Sequence, residues 1–438
     1  MQKLRSHLLC GILFLLSTQA SQASPIPSEW EAGFQNIYQV LEKNLQAPSH
    51  IFPFFHAHPA PKFPAVYLWD SAFISIVWKY HDADVAKDVL RAALYHQDSN
   101  GRVPLNYSFL GSSKLSQAPL LSFAAADIVD HTQDWNFARE LYPNLKRYHD
   151  WLWRARRLEN GLFFWAHPYE SGMDNSPRFS NRDESIFAKT KAISAIDLSS
   201  YIVIDAQSMS KLALAILNQT SSEEERATLT ADVKTFEAQS AEVTELVRRE
   251  LWDESSGYFF DRDEEGKFIR VESIASFFPL LAGIPTEHQW QIMRSHLINE
   301  EEFNTPNPLP SVARNSKNFE KDCWRGPVWI NTAYLTIQGI KRYGDRDLAQ
   351  YFGKRIADMV YRVASRTGKF VEFYDPERDD FHELTRKRGL GPFGLTITGN
   401  LVEDMEHLFS KRLFLGDKPV DHFVGWTGLV NNLALELE

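Results

Sequence analysis

Apolar positions recur along most of this chain at helical spacing, and the helical stretches are of two alternating kinds. In the first kind one face is apolar and the other charged. The stretch DRDLAQYFGKRIADMVYRVASR sets Leu348, Phe352, Ile356, Val360 and Val363 on one stripe, with Asp345 as a candidate N-cap and Gly344 before it as a stop. SSEEERATLTADV and TEHQWQIM open with capping boxes, Ser221 to Glu224 and Thr286 to Gln289. Segments of this kind beginning near residues 28, 84, 136, 222, 286 and 346 predict outer helices with a wet face.

The second kind is poor in charge and rich in small residues, as in QAPLLSFAAADIV, DLSSYIVIDAQSMSKLALAIL, GPVWINTAYLTIQGI and GWTGLVNNLALEL. Helices that are apolar on nearly every face belong in an interior, where small side chains allow close approach. They begin near residues 70, 118, 197, 272, 326 and 425. Six inner and six outer helices in alternation, with no strand series, predict an all-α fold, an (α/α)6 barrel. An irregular helical solenoid is the other architecture the pattern allows. No linker or low-complexity tract divides residues 24–438, which read as one domain.

The first residues follow a different pattern. Lys3 and Arg5 precede a short apolar run that ends in small and polar residues around Ser21 and Ala23, so residues 1–23 are expected to be a secretory signal peptide. The apolar core is too short to span a bilayer, and no later stretch is expected to cross one. The mature chain is therefore expected to be exported, periplasmic or secreted. Its formal charge of -10 becomes more negative when Lys3 and Arg5 leave, which argues against nucleic acid as a partner. Cys10 leaves with the leader and Cys323 remains alone, so no intrachain disulfide is expected.

Two connections, residues 158–196 and 366–423, are far longer than usual and precede the third and sixth inner helices, which stand opposite each other in a six-fold ring. The first holds WAHPYESGMDNSPRF, with Glu170 and Asp174 among Trp165, His167, Tyr169 and Arg178. The second opens with FVEFYDP, with Glu372 among Phe370, Phe373 and Tyr374. Glycosidic cleavage needs a protonated carboxylic acid for the leaving oxygen and a carboxylate on the opposite face of the sugar. Loops on opposing sides of a pocket supply such a pair. The acid holds its proton near neutral pH when aromatic walls or a neighbouring carboxylate disfavour its charge. Glu170 is the candidate neighbour, or else a structural acceptor for backbone N–H groups or Arg178. Trp69, Trp165, Trp324, Trp329 and Trp426 lie beside charged, Gly or His residues, where flat rings suit the C–H faces of a sugar.

The segments YLWDSAF (67–73), HQDSNGRVP (96–104), SQAPLLSFA (116–124), ESGMDNSPRF (170–179), VIDAQSMSKLA (203–213), DCWRGPVWINTAYL (322–335), FVEFYDP (370–376) and GWTGLVNN (425–432) occur in order. Together they resemble glycoside hydrolase family 63 and its relatives, among them mannosyl-oligosaccharide glucosidases, bacterial α-glucosidases and mannosylglycerate or glucosylglycerate hydrolases. The resemblance implies an (α/α)6 barrel that cleaves α-glycosidic bonds with inversion, with Asp174 as general acid and Glu372 as general base. It implies that Trp69 and Asp70 meet the non-reducing sugar, helped by Gln117, Trp324 and Arg325. Glu170, Asp197 and Trp426 complete the set of substrate-binding candidates. Asp70 and Asp197 also read as N-caps, Trp426 as helix-start packing, and Arg325 as an ion-pair partner of Asp322. After FVEFYDP the sequence departs from the family: many relatives enter a Gly-rich turn, whereas this chain runs through ERDDFHELTRKRGLGPFG.

The expected substrate is a short oligosaccharide or small glycoside, foremost an α-glucoside. Alternatives are a trehalase-like or mannosylglycerate/glucosylglycerate hydrolase and, from other classes, a glycoside phosphorylase or a non-catalytic carbohydrate-binding protein. No HExxH, GxSxG or EF-hand spacing occurs, so no metal or other cofactor is expected and a structural calcium is not indicated. GLGPFG at 389–394 follows no strand and is not read as a dinucleotide site.

Overall fold

Caps, prolines and glycines set where helices start and stop in the computed structural model, which describes residues 26–179, 190, 193–386 and 418–436. The expected signal peptide and the GLGPFG segment lie outside these residues. Numbered along the chain, the odd helices are α1 (Glu31–Asn44), α3 (Ala83–Tyr95), α5 (Trp135–Ala155), α7 (Glu223–Glu250), α9 (Glu287–Ile298) and α11 (Arg346–Thr367). The even helices are α2 (Leu68–Trp78), α4 (Leu121–Thr132), α6 (Ile196–Leu217), α8 (Phe278–Ala282), α10 (Ile330–Arg342) and α12 (Leu429–Glu436).

The odd helices start within three residues of the positions the pattern predicts, because their caps are local. Asp82, Asp134 and Asp345 each accept from first-turn N–H groups, and Thr286 forms the expected capping box with Gln289. The cap of α7 is one residue later than expected: Ser222, not Ser221, accepts the Glu225 N–H. The stripe of α11 is buried throughout.

The even helices start later than expected, except α2 and α6. Proline accounts for the largest delay. Pro279 has no N–H to donate, so a 3-10 turn (Ile274–Phe277) comes first and α8 begins at Phe278 with Pro279 in its first turn. Pro119 and Pro327 likewise hold the residues before them out of the helical region, and α4 and α10 follow.

Contacts among the even helices run α2–α4–α6–α8–α10–α12 and return from α12 to α2, closing a ring, with odd helices packed outside. Every residue of α2 is buried, as an inner position requires. Helix α6 corrects one expectation, since by length and composition it is apolar enough to cross a membrane. Most of it is buried among its neighbours, which is what the central helix of a packed core demands. Among the described residues strands are short antiparallel pieces, such as Val66–Tyr67 beside Asn106–Ser108. Buried apolar side chains form one cluster from Ile26 to Ala434.

Candidate active site

The segments that enter the even helices carry the chemistry. Trp69 and Asp70 stand in the first turn of α2, Gln117 precedes α4, Asp174 precedes α6, Cys323, Trp324 and Trp329 precede α10, and Glu372 and Trp426 precede α12. All of these side chains line one pocket, joined by Tyr67, Phe63, Phe423 and Arg386. Counting its open mouth, the pocket encloses about 500 Å³.

Its walls are tryptophan. Trp324 stacks on Trp329 with ring centres 3.6 Å apart, and Trp69 lies 6.1 Å from Trp324 and 5.9 Å from Trp426. Gln117 Oε1 accepts the Trp69 backbone N–H at 3.0 Å, so one residue from the loop before α4 fixes the start of α2. Gly172 packs directly on the Trp69 ring. A Cβ there would stand 1.9 Å from that ring, and the φ of +74° favours glycine as well.

The segment that carries Asp174 is held by a dense network. Glu170 is 1% exposed and accepts from Arg156 Nε and Nη2 (2.9 and 2.6 Å) and from the backbone N–H groups of Ser116 and Ala166 (2.9 and 2.8 Å). Asn175, next to Asp174, accepts the Trp324 N–H through Oδ1 and donates through Nδ2 to Asp322 Oδ2 at 3.1 Å. Asp322 in turn accepts from Thr385 Oγ1 at 2.7 Å, which ties the Asp174 segment to the chain that follows Glu372.

Glu372 is 4% exposed. Its N–H donates to the Val420 carbonyl and its own carbonyl accepts from Trp426 Nε1, both at 2.9 Å. Its carboxylate accepts from Arg386 Nε at 3.0 Å and Nη2 at 3.3 Å. Asp70, 5% exposed, faces both catalytic candidates. Burial pushes its carboxyl up to about 8, its own backbone N–H pulls it back in part, and the charges of Glu372 and Asp174 push it further up. Asp70 is therefore a neutral hydrogen-bond donor at neutral pH.

Three sequence candidates fall elsewhere. Glu170 does not line the pocket, because Arg156 and two backbone donors occupy its oxygens, and the carboxylates near Asp174 are Asp70 and Glu372. Asp197, fully buried, lies inside the first turn of α6 rather than at its cap. It accepts from Trp165 Nε1 at 2.8 Å and from Arg178 Nη2 at 2.5 Å, and Arg178 also pairs with Asp261. Arg325 pairs with Glu320 rather than Asp322 and donates to the Asn175 carbonyl, behind the pocket wall. Arg386, Cys323, Phe63, Tyr67 and Phe423 were missed. The one signal for Arg386 was the charged excursion after FVEFYDP.

Residues 64–391 match the family model described as the mannosylglycerate hydrolase MGH1-like glycoside hydrolase domain. A mannosylglycerate hydrolase of Thermus thermophilus is 29% identical over 382 residues, which cover 72% of this chain and 89% of that protein. Among solved structures, a GH63 mannosylglycerate hydrolase from Thermus thermophilus in complex with Tris aligns with a TM-score of 0.69 at 22% identity, over 92% of this chain and 99% of that one. A neutral trehalase from Saccharomyces cerevisiae aligns with a TM-score of 0.64 at 16% identity, over 92% and 80%. At such identities the structural likeness speaks for the fold alone.

Proposed function

The chain belongs to the mannosylglycerate hydrolase MGH1-like glycoside hydrolases, and on that premise we propose that it hydrolyses the α-glycosidic bond of a small glycoside with inversion. The observation that carries this reading is the convergence of Asp174 and Glu372, distant in sequence, on one tryptophan-walled pocket lined by the segments that enter the ring of even helices. Asp174 gives its proton to the glycosidic oxygen as the bond from the anomeric carbon to that oxygen breaks. Glu372 takes a proton from a water whose oxygen forms the new bond from the opposite face. The alcohol leaves neutral, and the proton now on Glu372 returns to Asp174 through solvent. Asp70, as a neutral donor, and Gln117 hold sugar hydroxyls while the indole rings cover its C–H face.

Mannosylglycerate moves ahead of an α-glucoside as the first substrate to try, because that is the activity named for the Thermus thermophilus relative. The test is a digestion panel of mannosylglycerate, trehalose, kojibiose, nigerose and maltose, run with and without phosphate. Hydrolysis of at least one member without phosphate supports the proposal. Strict phosphate dependence overturns it, and failure on every member does so too. Export is part of the same proposal, and N-terminal sequencing of the protein from its native cells should find the mature chain starting near residue 24.

A further inference from the structure

Among the described residues three carboxyl groups line the pocket, those of Asp70, Asp174 and Glu372, and one guanidinium joins them, that of Arg386. We propose that Arg386 is the positioning residue of the general base. Its planar fork sets the plane of the Glu372 carboxylate and balances its charge, so that the oxygen edge left open is turned to the attacking water. The proposal rests on the hydrolase reading above and adds to it a residue that the sequence motifs do not contain.

The backbone of Glu372 is fixed on both sides by Val420 and Trp426. That leaves its side-chain torsions to be set by other means. The two N–H···O bonds from Arg386 set them, with the Val420 N–H at 3.5 Å adding little. Both partners are nearly sealed from water, with side-chain exposures of 8% for Arg386 and 5% for Glu372. A carboxylate so enclosed beside other carboxyl groups is costly unless a cation and hydrogen bonds compensate it. A carboxylate offers about four lone-pair positions, and the fork takes two, which leaves room for a water proton. Burial, the largest single effect, pulls the Arg386 guanidinium down, but the charge and hydrogen bond of Glu372, joined by Cys323 and Asp174, together outweigh it and hold the guanidinium up. Arg386 also lies 5.9 Å from the Phe63 ring centre, a pocket wall that keeps bulk water off the pair. The side chain reaches Glu372 from the charged run that follows FVEFYDP.

The probes are α-mannosyl fluoride and α-glucosyl fluoride, because fluoride departs with little help from an acid and the rate then reports the base. Arg386→Ala is expected to lower kcat about 100-fold, the size of a general-base contribution, with KM inside about threefold. Arg386→Lys keeps the charge without the fork and should recover only part of the loss, about tenfold. Guanidinium chloride at low concentration should restore turnover to Arg386→Ala without accelerating the parent enzyme, which a purely structural role would not produce. Circular dichroism checks that each variant is folded, and Arg386→Lys carries the test if the alanine variant is not. Undiminished kcat in Arg386→Lys overturns the proposal, and so does a loss confined to KM or a folded Arg386→Ala that guanidinium does not rescue. A parent enzyme inert toward both fluorides and the whole glycoside panel overturns the hydrolase reading and this proposal with it.

Discussion

The two sides of the pocket are built differently. The acid side, named for the proposed role of Asp174 as the base side is for that of Glu372, is a contiguous motif locked by many short bonds. Glu170 anchors it to Arg156 and two backbone donors, Gly172 seats it on Trp69, and Asn175 pins it to Asp322 and Trp324. On the base side the backbone of Glu372 is pinned at two points, and its carboxylate is set by one guanidinium 14 residues further on. The acid side thus depends on packing and a saturated network, which tolerates no change of shape. The base side depends on one charged fork, whose loss changes chemistry before it changes the fold.

The largest effect that would sharpen this contrast is catalytic. Asp174→Asn and Glu372→Gln should each lower kcat on a true glycoside about 1,000-fold or more. With glycosyl fluorides the two should separate, Asp174→Asn retaining much of the parent rate and Glu372→Gln not. Equal losses on the fluorides would break the assignment of roles.

Stability should respond on the acid side next. Glu170→Ala leaves Arg156 and two backbone N–H groups without their acceptor and is expected to cost about 3 kcal/mol or more, read from denaturant midpoints. Gly172→Ala forces a methyl into the Trp69 ring and should cost about 1–3 kcal/mol. If either variant melts like the parent while Arg386→Lys melts much lower, the contrast is reversed.

The smallest effect is pH dependence at Asp70. Its carboxyl, held up at about 8 by burial and then by its charged neighbours, ionises above that pH beside Glu372 and Asp174. KM should rise above about pH 8, and Asp70→Asn should flatten that rise while raising KM at neutral pH. The folded pKa lies above the unfolded value of ~3.9, so the stability linked to this proton is complete below pH ~4 and is lost as pH climbs to about 8. Asp70→Asn should therefore lose less thermal stability than the parent between those limits, measured by melting scans.

What was legible in the sequence follows the same division. Outer helix starts could be read because a cap and its acceptor lie within four residues, as at Asp345 and Thr286. The contiguous ESGMD run likewise pointed to Asp174, which lines the pocket. Asp197 and Arg325 were misplaced, and Glu170 was read only in part, as an acceptor for backbone N–H groups, because their partners Arg178, Glu320 and Arg156 are revealed only by folding, through pairings with no periodicity. Arg386 was hidden for the same reason. It sits in an irregular charged run whose side chains read alike until one of them meets Glu372.

If two carboxyl groups act from opposite faces of the sugar, one on the leaving oxygen and one on water, the anomeric carbon inverts. Proton NMR of the first sugar released from the α-glycoside that the panel identifies tests this directly. The β-anomer should appear first and then mutarotate; release of the α-anomer first would contradict the claim.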